Sequence, residues 1–160
     1  MEPGCSPKDF SIPYDDADLS ATIAYAQGRG AVCIAAAGNH SPNFPFYNIF
    51  GGPLDPNCDP VQIPYTVWPA AYAGVIGVSA TDSLDRFYDY DTYGSYNYGS
   101  FVSLAAPGVN IWHPYGPPTG YAVHTGTSFS SPETAALVGL LLSISPALTS
   151  SQVTRGMFQS

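Results

Sequence analysis

Short apolar segments, each bounded by glycine, proline or polar residues, limit most strongly how this 160-residue chain can fold. Residues 31–37 read Ala-Val-Cys-Ile-Ala-Ala-Ala, and residues 75–80 read Val-Ile-Gly-Val-Ser-Ala. Apolar runs of this length are typical of strands that are buried on both faces, as in a parallel sheet. Residues 101–105 and 109–112 predict two further short strands. The sequence therefore predicts an α/β fold with a mainly parallel sheet.

Three helices are predicted around these strands. The first is capped by Asp15 or Asp16 and ends near Gly28, because apolar residues recur at helical spacing between them. The second runs from about residue 130 to 143 and is apolar enough to be a buried helix. Residues 149–152, Thr-Ser-Ser-Gln, form a capping box that predicts the start of a third helix.

Charge and composition exclude several classes of function. Twelve acidic residues outnumber four basic ones, which gives a formal net charge of −8. The basic residues are scattered and form no patch for phosphates, so we expect no nucleic-acid partner. No apolar run approaches the roughly 18 residues that span a bilayer, so we expect no membrane partner. No Gly-x-x-x-x-Gly-Lys motif indicates nucleotide binding, and no Cys/His spacing indicates zinc.

The three cysteines leave one question open. Cys33 lies inside an apolar run, and we interpret it as a core thiol. Cys5 and Cys58 lie in loop-like sequence, where they could either pair in a disulfide, which would indicate an oxidising compartment, or remain free.

The segment that most clearly indicates chemistry is residues 126–132, Gly-Thr-Ser-Phe-Ser-Ser-Pro, which leads directly into the second apolar helix. Ser128 is thus predicted at a helix N-terminus, where free N–H groups and the helix dipole stabilise developing negative charge. A serine hydroxyl is a weak nucleophile unless a neighbouring base removes its proton. The pattern is compatible with a nucleophilic serine and also with an ordinary capped helix.

Four blocks of sequence, taken together, resemble the subtilisin-like serine proteases, or subtilases, and occur in that family's order. They are Ala36-Ala37-Gly38-Asn39, residues 68–82, residues 104–109 (Leu-Ala-Ala-Pro-Gly-Val), and residues 126–132. The resemblance implies a subtilisin-like three-layer α/β/α fold, a serine endopeptidase activity and polypeptide substrates. It also implies a secreted or extracellular protein, although no signal-peptide pattern occurs in this chain.

The resemblance assigns catalytic roles to two residues. Ser128 corresponds to the nucleophile that is acylated, and Asn39 corresponds to the side-chain amide that donates to the oxyanion. Asn39 also follows a predicted strand at its carboxyl end, where open α/β sheets bind ligands. The second oxyanion donor would be the backbone N–H of Ser128.

The resemblance also implies a substrate cleft, and it predicts a cis peptide bond between Trp68 and Pro69. One wall of the pocket for the residue before the scissile bond would include Ala36, Ala37 and Gly38, with Val67 near its floor and His124 on the leaving-group side. The long sequence from residue 40 to 66 departs from the shorter connection of simple subtilases.

A subtilase also needs an Asp and a His, in the chain order Asp, His, Ser. No histidine precedes Asn39, and no Asp motif of the family is present. We expect none of His40, His113 and His124 to act as the base. Residues 1–160 are therefore expected to be a partial catalytic domain that lacks the N-terminal part carrying the Asp and His and the extreme C-terminus. The missing N-terminal part would be its partner, and the chain alone is expected to be inactive.

Two further expectations concern alternatives and cofactors. The competing interpretation is a catalytically dead subtilase-like pseudoenzyme or binding module. An α/β-hydrolase is excluded because Ser130 replaces the last glycine of its Gly-x-Ser-x-Gly motif and no Asp or His follows Ser128. No cofactor is needed for the chemistry and no metal ligand is predicted. A structural calcium ion is compatible with the family, but no acidic cluster in this segment supports one.

Glu133 stands where many subtilases carry a histidine. We interpret it as a residue of the first helical turn, where its negative charge would interact favourably with the helix dipole.

Overall fold

The computed structural model describes residues 15–39, 67–86, 89–90, 94–95, 97, 99–117 and 120–158, with backbone only for 89, 90, 94, 95 and 158. His40 and the candidate Cys5–Cys58 disulfide lie outside the described residues. In chain order the elements are α1 (Ala17–Gly28), β1 (Ile34–Ala36), β2 (Ile76–Thr81), β3 (Asp89–Tyr90), β4 (Gly94–Ser95), β5 (Leu104–Pro107), β6 (Ile111–Pro114), β7 (Tyr121–His124), α2 (Thr127–Ile144) and α3 (Ser150–Phe158).

A three-stranded parallel sheet in the order β1-β2-β5 forms the centre of the described structure. Strand β2 is buried from Ile76 to Ala80 because it has a strand on each side, and α2 contacts all three strands of the sheet. The prediction of an α/β fold with a mainly parallel sheet is confirmed. The parallel arrangement also brings the carboxyl ends of β1 and β2 to the same edge of the sheet.

Strand β1 is shorter and more exposed than the sequence predicts. Residues 31–37 suggest a strand buried on both faces, but only Ile34–Ala36 pairs with β2, and all three residues are half-buried. The prediction of burial is wrong here because β1 is an edge strand in the described part of the sheet. Cys33 is likewise half-buried and has a free thiol, so it does not lie in the core as predicted.

Helix α1 begins and ends where its capping residues predict. The side chain of Asp16 accepts hydrogen bonds from the N–H groups of Asp18 and Leu19, and Gly30 follows the helix with φ +91°. Tyr72 holds this helix start in place, since its hydroxyl bonds both the backbone N–H and the carbonyl oxygen of Asp16. Burial raises the pKa of the Tyr72 hydroxyl.

Helix α2 starts earlier and is less buried than predicted. It begins at Thr127, with Gly126 as its N-cap, and only one stripe of side chains is buried: Thr127, Ser130, Thr134 and Val138. The apolar residues on its other faces are exposed, among them Ile144 at 79%. The prediction of a fully buried helix is wrong because, within the described residues, only the face toward the sheet is covered.

The earlier start of α2 also corrects the interpretation of Glu133. This residue is the seventh of the helix, and the first turn contains no acidic residue. Because the effect of the helix dipole falls off within the first turn, the favourable charge interaction proposed from the sequence does not apply. Glu133 is exposed on the helix surface.

A β-hairpin precedes α2. The sequence predicts a single strand at residues 109–112, but Ile111–Pro114 pairs in antiparallel fashion with Tyr121–His124, a strand that the sequence analysis missed. The alternation of apolar and polar residues on either side of the Gly- and Pro-rich segment was too short to indicate this second strand. The capping box before α3 is confirmed, since Thr149 and Gln152 bond each other's backbone N–H groups. No helix in the described ranges is long and apolar enough to span a bilayer.

Gly77 provides a test of the packing around β2. A Cβ atom at this position would collide with the backbone carbonyl oxygen of Phe101 and lie 3.3 Å from that of Ala70. Because backbone atoms cannot rotate away, we expect Gly77→Ala to lower the free energy of unfolding by about 3 kcal/mol or more.

The matched control for this prediction is Gly139→Ala. Gly139 lies in α2 with no atom within 4 Å of its added Cβ, so alanine should raise stability by about 0.5–1 kcal/mol through helix propensity. Urea unfolding of both variants measures the difference. Equal stabilities would contradict the close approach of the chain at Gly77.

Candidate active site

Two segments that are 88 residues apart in sequence meet at the start of α2. Asn39 Oδ1 accepts a hydrogen bond from the Thr127 N–H at 2.9 Å and another from the Thr127 hydroxyl at 3.0 Å. The same hydroxyl oxygen accepts the N–H of Gly38 at 3.0 Å. These three bonds join the chain that leaves the carboxyl end of β1 to the first residue of α2.

The hydrogen bonds determine how the Asn39 amide is turned. A backbone N–H can only donate, so the Asn39 atom that faces Thr127 must be the carbonyl oxygen, and the NH₂ group must occupy the other branch. Among the described residues, no hydrogen bond engages the amide Nδ2, so this branch is available as a donor. Asn39 also caps α2, whose N-cap residue Gly126 has no side chain to do so.

Ser128 lies next to that free amide. It is the second residue of α2 and is exposed. A Cβ atom built on Gly126 would be 3.2 Å from Ser128 Oγ and 3.2 Å from Asn39 Nδ2. Because both atoms lie 3.2 Å from this same point, the distance between Ser128 Oγ and Asn39 Nδ2 is at most twice that value. The hydroxyl and the amide therefore border a common small space at the N-terminus of α2.

This arrangement suits the stabilisation of negative charge. The N-terminus of a helix carries roughly half a positive elementary charge, and its first N–H groups have no partner within the helix. The Ser128 N–H belongs to this first turn, and the Asn39 amide adds a donor from outside the helix. An oxyanion that forms on a carbonyl group attacked by Ser128 Oγ would meet both donors.

The predicted substrate-binding residues of the β1 end lie close together. Ala36 ends β1 and is half-buried, whereas Ala37 is fully buried and donates its N–H to Val78 O at 2.8 Å. Gly38 turns the chain with φ +93°, and Val67, 8% exposed, lies 3.8 Å from the position of a Gly38 Cβ. The Trp68–Pro69 bond is cis, as predicted. The structure thus brings Ala36, Ala37, Gly38 and Val67 together beside Asn39.

Asn97 is a buried residue that the sequence analysis missed. Its Nδ2 donates to the carbonyl oxygen of Ala37 at 2.6 Å, and its N–H donates to that of Gly38 at 3.1 Å. Ser79 of β2 donates to the Asn97 carbonyl oxygen at 2.9 Å. Asn97 therefore holds the Ala37–Gly38 turn against β2. The local sequence offers one usable signal for this role, an amide side chain between two aromatic residues and close to a glycine.

His124 lies at the end of the hairpin and is bonded to a second histidine. Its Nδ1 is a hydrogen-bond partner of His113 Nε2, and the His113 ring packs on Phe129, the residue after Ser128, at 4.8 Å between ring centroids. The structure therefore places His124 near the start of α2, 6.3 Å from the Phe129 ring between centroids, and its role on the leaving-group side stays a prediction. Among the described residues, no hydrogen bond joins His124 to Ser128, and the hydrogen bond that His124 makes there joins its Nδ1 to His113.

Asp82 does not supply the missing acid. Its carboxylate accepts two hydrogen bonds from the Arg86 guanidinium, at 2.7 and 2.9 Å, and further bonds from the N–H groups of Leu84 and Arg86. These bonds, led by those from the Arg86 side chain, hold the pKa of the Asp82 carboxyl below its ordinary value. Asp82 closes the turn after β2, and among the described residues no histidine is bonded to it.

Within the described part of the chain, no three His, Cys, Asp or Glu side chains converge as metal ligands would. The expectations about calcium and about the absence of cofactors stay predictions.

Comparison with known proteins gives a consistent result. The family model described as "Subtilase family" matches residues 11–160. Thermitase of Thermoactinomyces vulgaris is 34% identical over 125 residues, which cover 78% of this chain and 35% of thermitase. The thermophilic serine proteinase of Bacillus sp. strain AK1 is 35% identical over 127 residues, which cover 78% of this chain and 24% of the proteinase. The minor extracellular protease Epr of Bacillus subtilis strain 168 is 32% identical over 143 residues, which cover 89% of this chain and 18% of Epr.

The chain spans about a third or less of the length of these relatives. The residues that the family model matches nonetheless include the sheet, the Ala37–Asn39 turn and the start of α2, whose hydrogen bonds were described above. Since the family model accounts for nearly the whole sequence, the chain belongs to the subtilase family.

Proposed function

We propose that residues 1–160 are the part of a serine endopeptidase catalytic domain that contributes the nucleophile Ser128 and the oxyanion donor Asn39. The observation that carries the proposal is the pair of hydrogen bonds from Thr127 to Asn39 Oδ1, because they leave the amide Nδ2 free beside the Ser128 hydroxyl. Substrates are polypeptides, since the family consists of proteases.

The chemistry assigns a role to each group. Ser128 Oγ attacks the scissile carbonyl carbon while its proton passes to a base. The carbonyl oxygen becomes an oxyanion that accepts hydrogen bonds from Asn39 Nδ2 and the Ser128 N–H. Collapse of this intermediate expels the leaving amine and yields an acyl-enzyme on Ser128, which water then hydrolyses. The wall formed by Ala36, Ala37 and Gly38, with Val67 behind it, would hold the residue before the scissile bond.

The base and its orienting acid come, in this proposal, from a segment outside residues 1–160. No histidine precedes Asn39 in the sequence, and Asp82 is bonded to Arg86. Among the described residues, no hydrogen bond joins His113 or His124 to Ser128. The matched segments cover 35%, 24% and 18% of these relatives, which leaves ample chain for such residues. We extend the proposal to an extracellular setting, because one relative is named a minor extracellular protease.

The competing proposal is a subtilase-like binding module without catalysis. The exposed, correctly turned Asn39 amide favours an enzyme, because a module that only binds has no need for a donor beside an exposed serine hydroxyl. The two proposals differ in the reactivity of Ser128, which can be measured directly.

A fluorophosphonate probe tests the proposal. In the protein with its complete catalytic domain, we expect the probe to label Ser128, and Ser128→Ala to abolish labelling and peptide hydrolysis. Ser143→Ala, which removes an exposed hydroxyl near the other end of α2, is the matched control and should be labelled normally. A folded, complete domain that is not labelled would support the binding module. Peptide hydrolysis by residues 1–160 alone, lost in Ser128→Ala, would overturn the assignment of an external base.

Gly126→Ala tests the space shared by the amide and the hydroxyl. Its methyl group would stand 3.2 Å from both Asn39 Nδ2 and Ser128 Oγ, where the substrate carbonyl must enter. We expect kcat/KM to fall by about 10²–10³, the magnitude that loss of an oxyanion donor has in subtilisin itself. The melting temperature should change little, because Gly126 has extended backbone that alanine can adopt. Gly116→Ala, in open space, is the control. Wild-type kcat/KM for Gly126→Ala would contradict the site.

Thr127→Val tests the positioning of Asn39. Valine keeps the shape but removes the hydroxyl that donates to Asn39 Oδ1 and accepts from Gly38 N–H. We expect kcat to fall about tenfold with KM little changed, since the loosened amide weakens oxyanion binding only in the transition state. Thr127→Ser keeps the hydroxyl and should restore most of kcat. If serine and valine variants have the same kcat, the hydroxyl does not position the amide.

A further inference from the structure

The β6–β7 hairpin places its two histidines on one face. Ile111 is directly opposite His124 in the antiparallel register, and His113 is opposite Ala122. Directly opposed residues share a face, and so do residues two apart on one strand. His113 and His124 are therefore diagonal neighbours on the side of the hairpin that faces α2, while Trp112 and Tyr121 point to solvent and are 73% and 60% exposed.

The hydrogen bonds of His113 determine which of its nitrogens is free. Nδ1 is 2.8 Å from the carbonyl oxygen of Pro114. A carbonyl oxygen only accepts, so Nδ1 carries the proton and the lone pair of the neutral ring is on Nε2. That lone pair is directed at His124 Nδ1. A ring nitrogen whose opposite N–H is held by a backbone carbonyl is the usual state of a metal-ligating histidine.

Aromatic neighbours hold both imidazole rings. Tyr115 packs edge-on against His113 at 5.9 Å and lies 5.4 Å from His124, measured between ring centroids. Phe129 lies 4.8 Å from His113 and is stacked at 6.3 Å from His124. The hairpin backbone and these rings limit the side-chain rotation that a ligand would otherwise have to freeze. His113 is half-buried and His124 exposed, so solvent and ions reach the pair.

We propose that His113 Nε2 and His124 Nδ1 form a binding site for a late divalent transition metal such as Zn²⁺. The ion takes the place of the proton between the two nitrogens. The proton that His124 carries on Nδ1 moves through solvent to its Nε2, so that both neutral rings present a lone pair and no net proton is released. Imidazole ligands select zinc, copper and nickel over magnesium and calcium, which prefer oxygen.

Two protein ligands make this an open site. In the portion of the chain that is described, no third His, Cys, Asp or Glu side chain converges on the pair, so the remaining positions belong to water. An open site of this kind binds reversibly. It does not depend on the proposed protease function, because neither ring is assigned to the chemistry at Ser128.

Calorimetric titration of the purified protein with Zn²⁺ tests the proposal, with Mg²⁺ as the ion that should not bind. We expect one Zn²⁺ per chain, and we expect His113→Asn and His124→Asn each to raise Kd more than about tenfold. The double variant should be little weaker than either single one, because each substitution already breaks the chelate. Unchanged melting temperatures without metal show that the variants are folded.

His40→Asn is the matched control, because it also removes one of the chain's three histidines and keeps all three cysteines. It should bind Zn²⁺ like the wild type. As a second readout, the electron paramagnetic resonance spectrum of the Cu²⁺-loaded protein should show two coupled imidazole nitrogens, and one in His113→Gln. Equal Zn²⁺ affinity in all variants, or a loss only in His40→Asn, would place the metal on other residues and overturn the proposal. Equal affinity for Mg²⁺ would do the same.

Discussion

The contact between Asn39 and Thr127 is the interaction on which the arrangement of the site depends. It satisfies the first N–H of α2, fixes which branch of the Asn39 amide is the donor, and ties the end of β1 to the helix that packs across the sheet. Each of these bonds is worth only about 1 kcal/mol net. These bonds matter because they fix the orientation of the Asn39 amide. An amide that rotated freely would spend much of its time with its oxygen toward a developing oxyanion.

Close approach of backbone to side chains explains the glycines next to this contact. At Gly38 the positive φ lets the chain turn between Ala37 and Asn39, and the Asn97 amide fills the place that a Cβ would need. At Gly126 the missing side chain leaves open the space between the Asn39 amide and the Ser128 hydroxyl. The first glycine makes room for a structural side chain, and the second leaves room for the group that, in the proposed function, would react there. Packing accounts for the first glycine and the proposed chemistry for the second.

The sequence predicted local features well and long-range burial poorly. Capping at Asp16 and Thr149, and the strand predicted at residues 75–80, follow from interactions between near neighbours. The structure confirms both caps and has the strand at Ile76–Thr81. The exposure of Leu140 and Ile144, the half-buried β1 and the buried Asn97 depend on which segments lie alongside, and no local pattern contains that information. The proximity of Asn39 and Ser128 was expected only because the family resemblance and the strand-end rule agreed.

Within these residues, the groups that would stabilise an oxyanion and the group that would take the serine proton have different structural origins. The donors come from the sheet edge and the helix start, which the described chain builds from its own hydrogen bonds. In the described residues, no hydrogen bond joins a histidine to Ser128 Oγ, and His124 Nδ1 is engaged by His113 across the hairpin. The groups that would act as donors are therefore held by contacts within the described chain, whereas no such contact holds a base against the serine. Preorganised donors alone lower the barrier only for a nucleophile that has already been deprotonated.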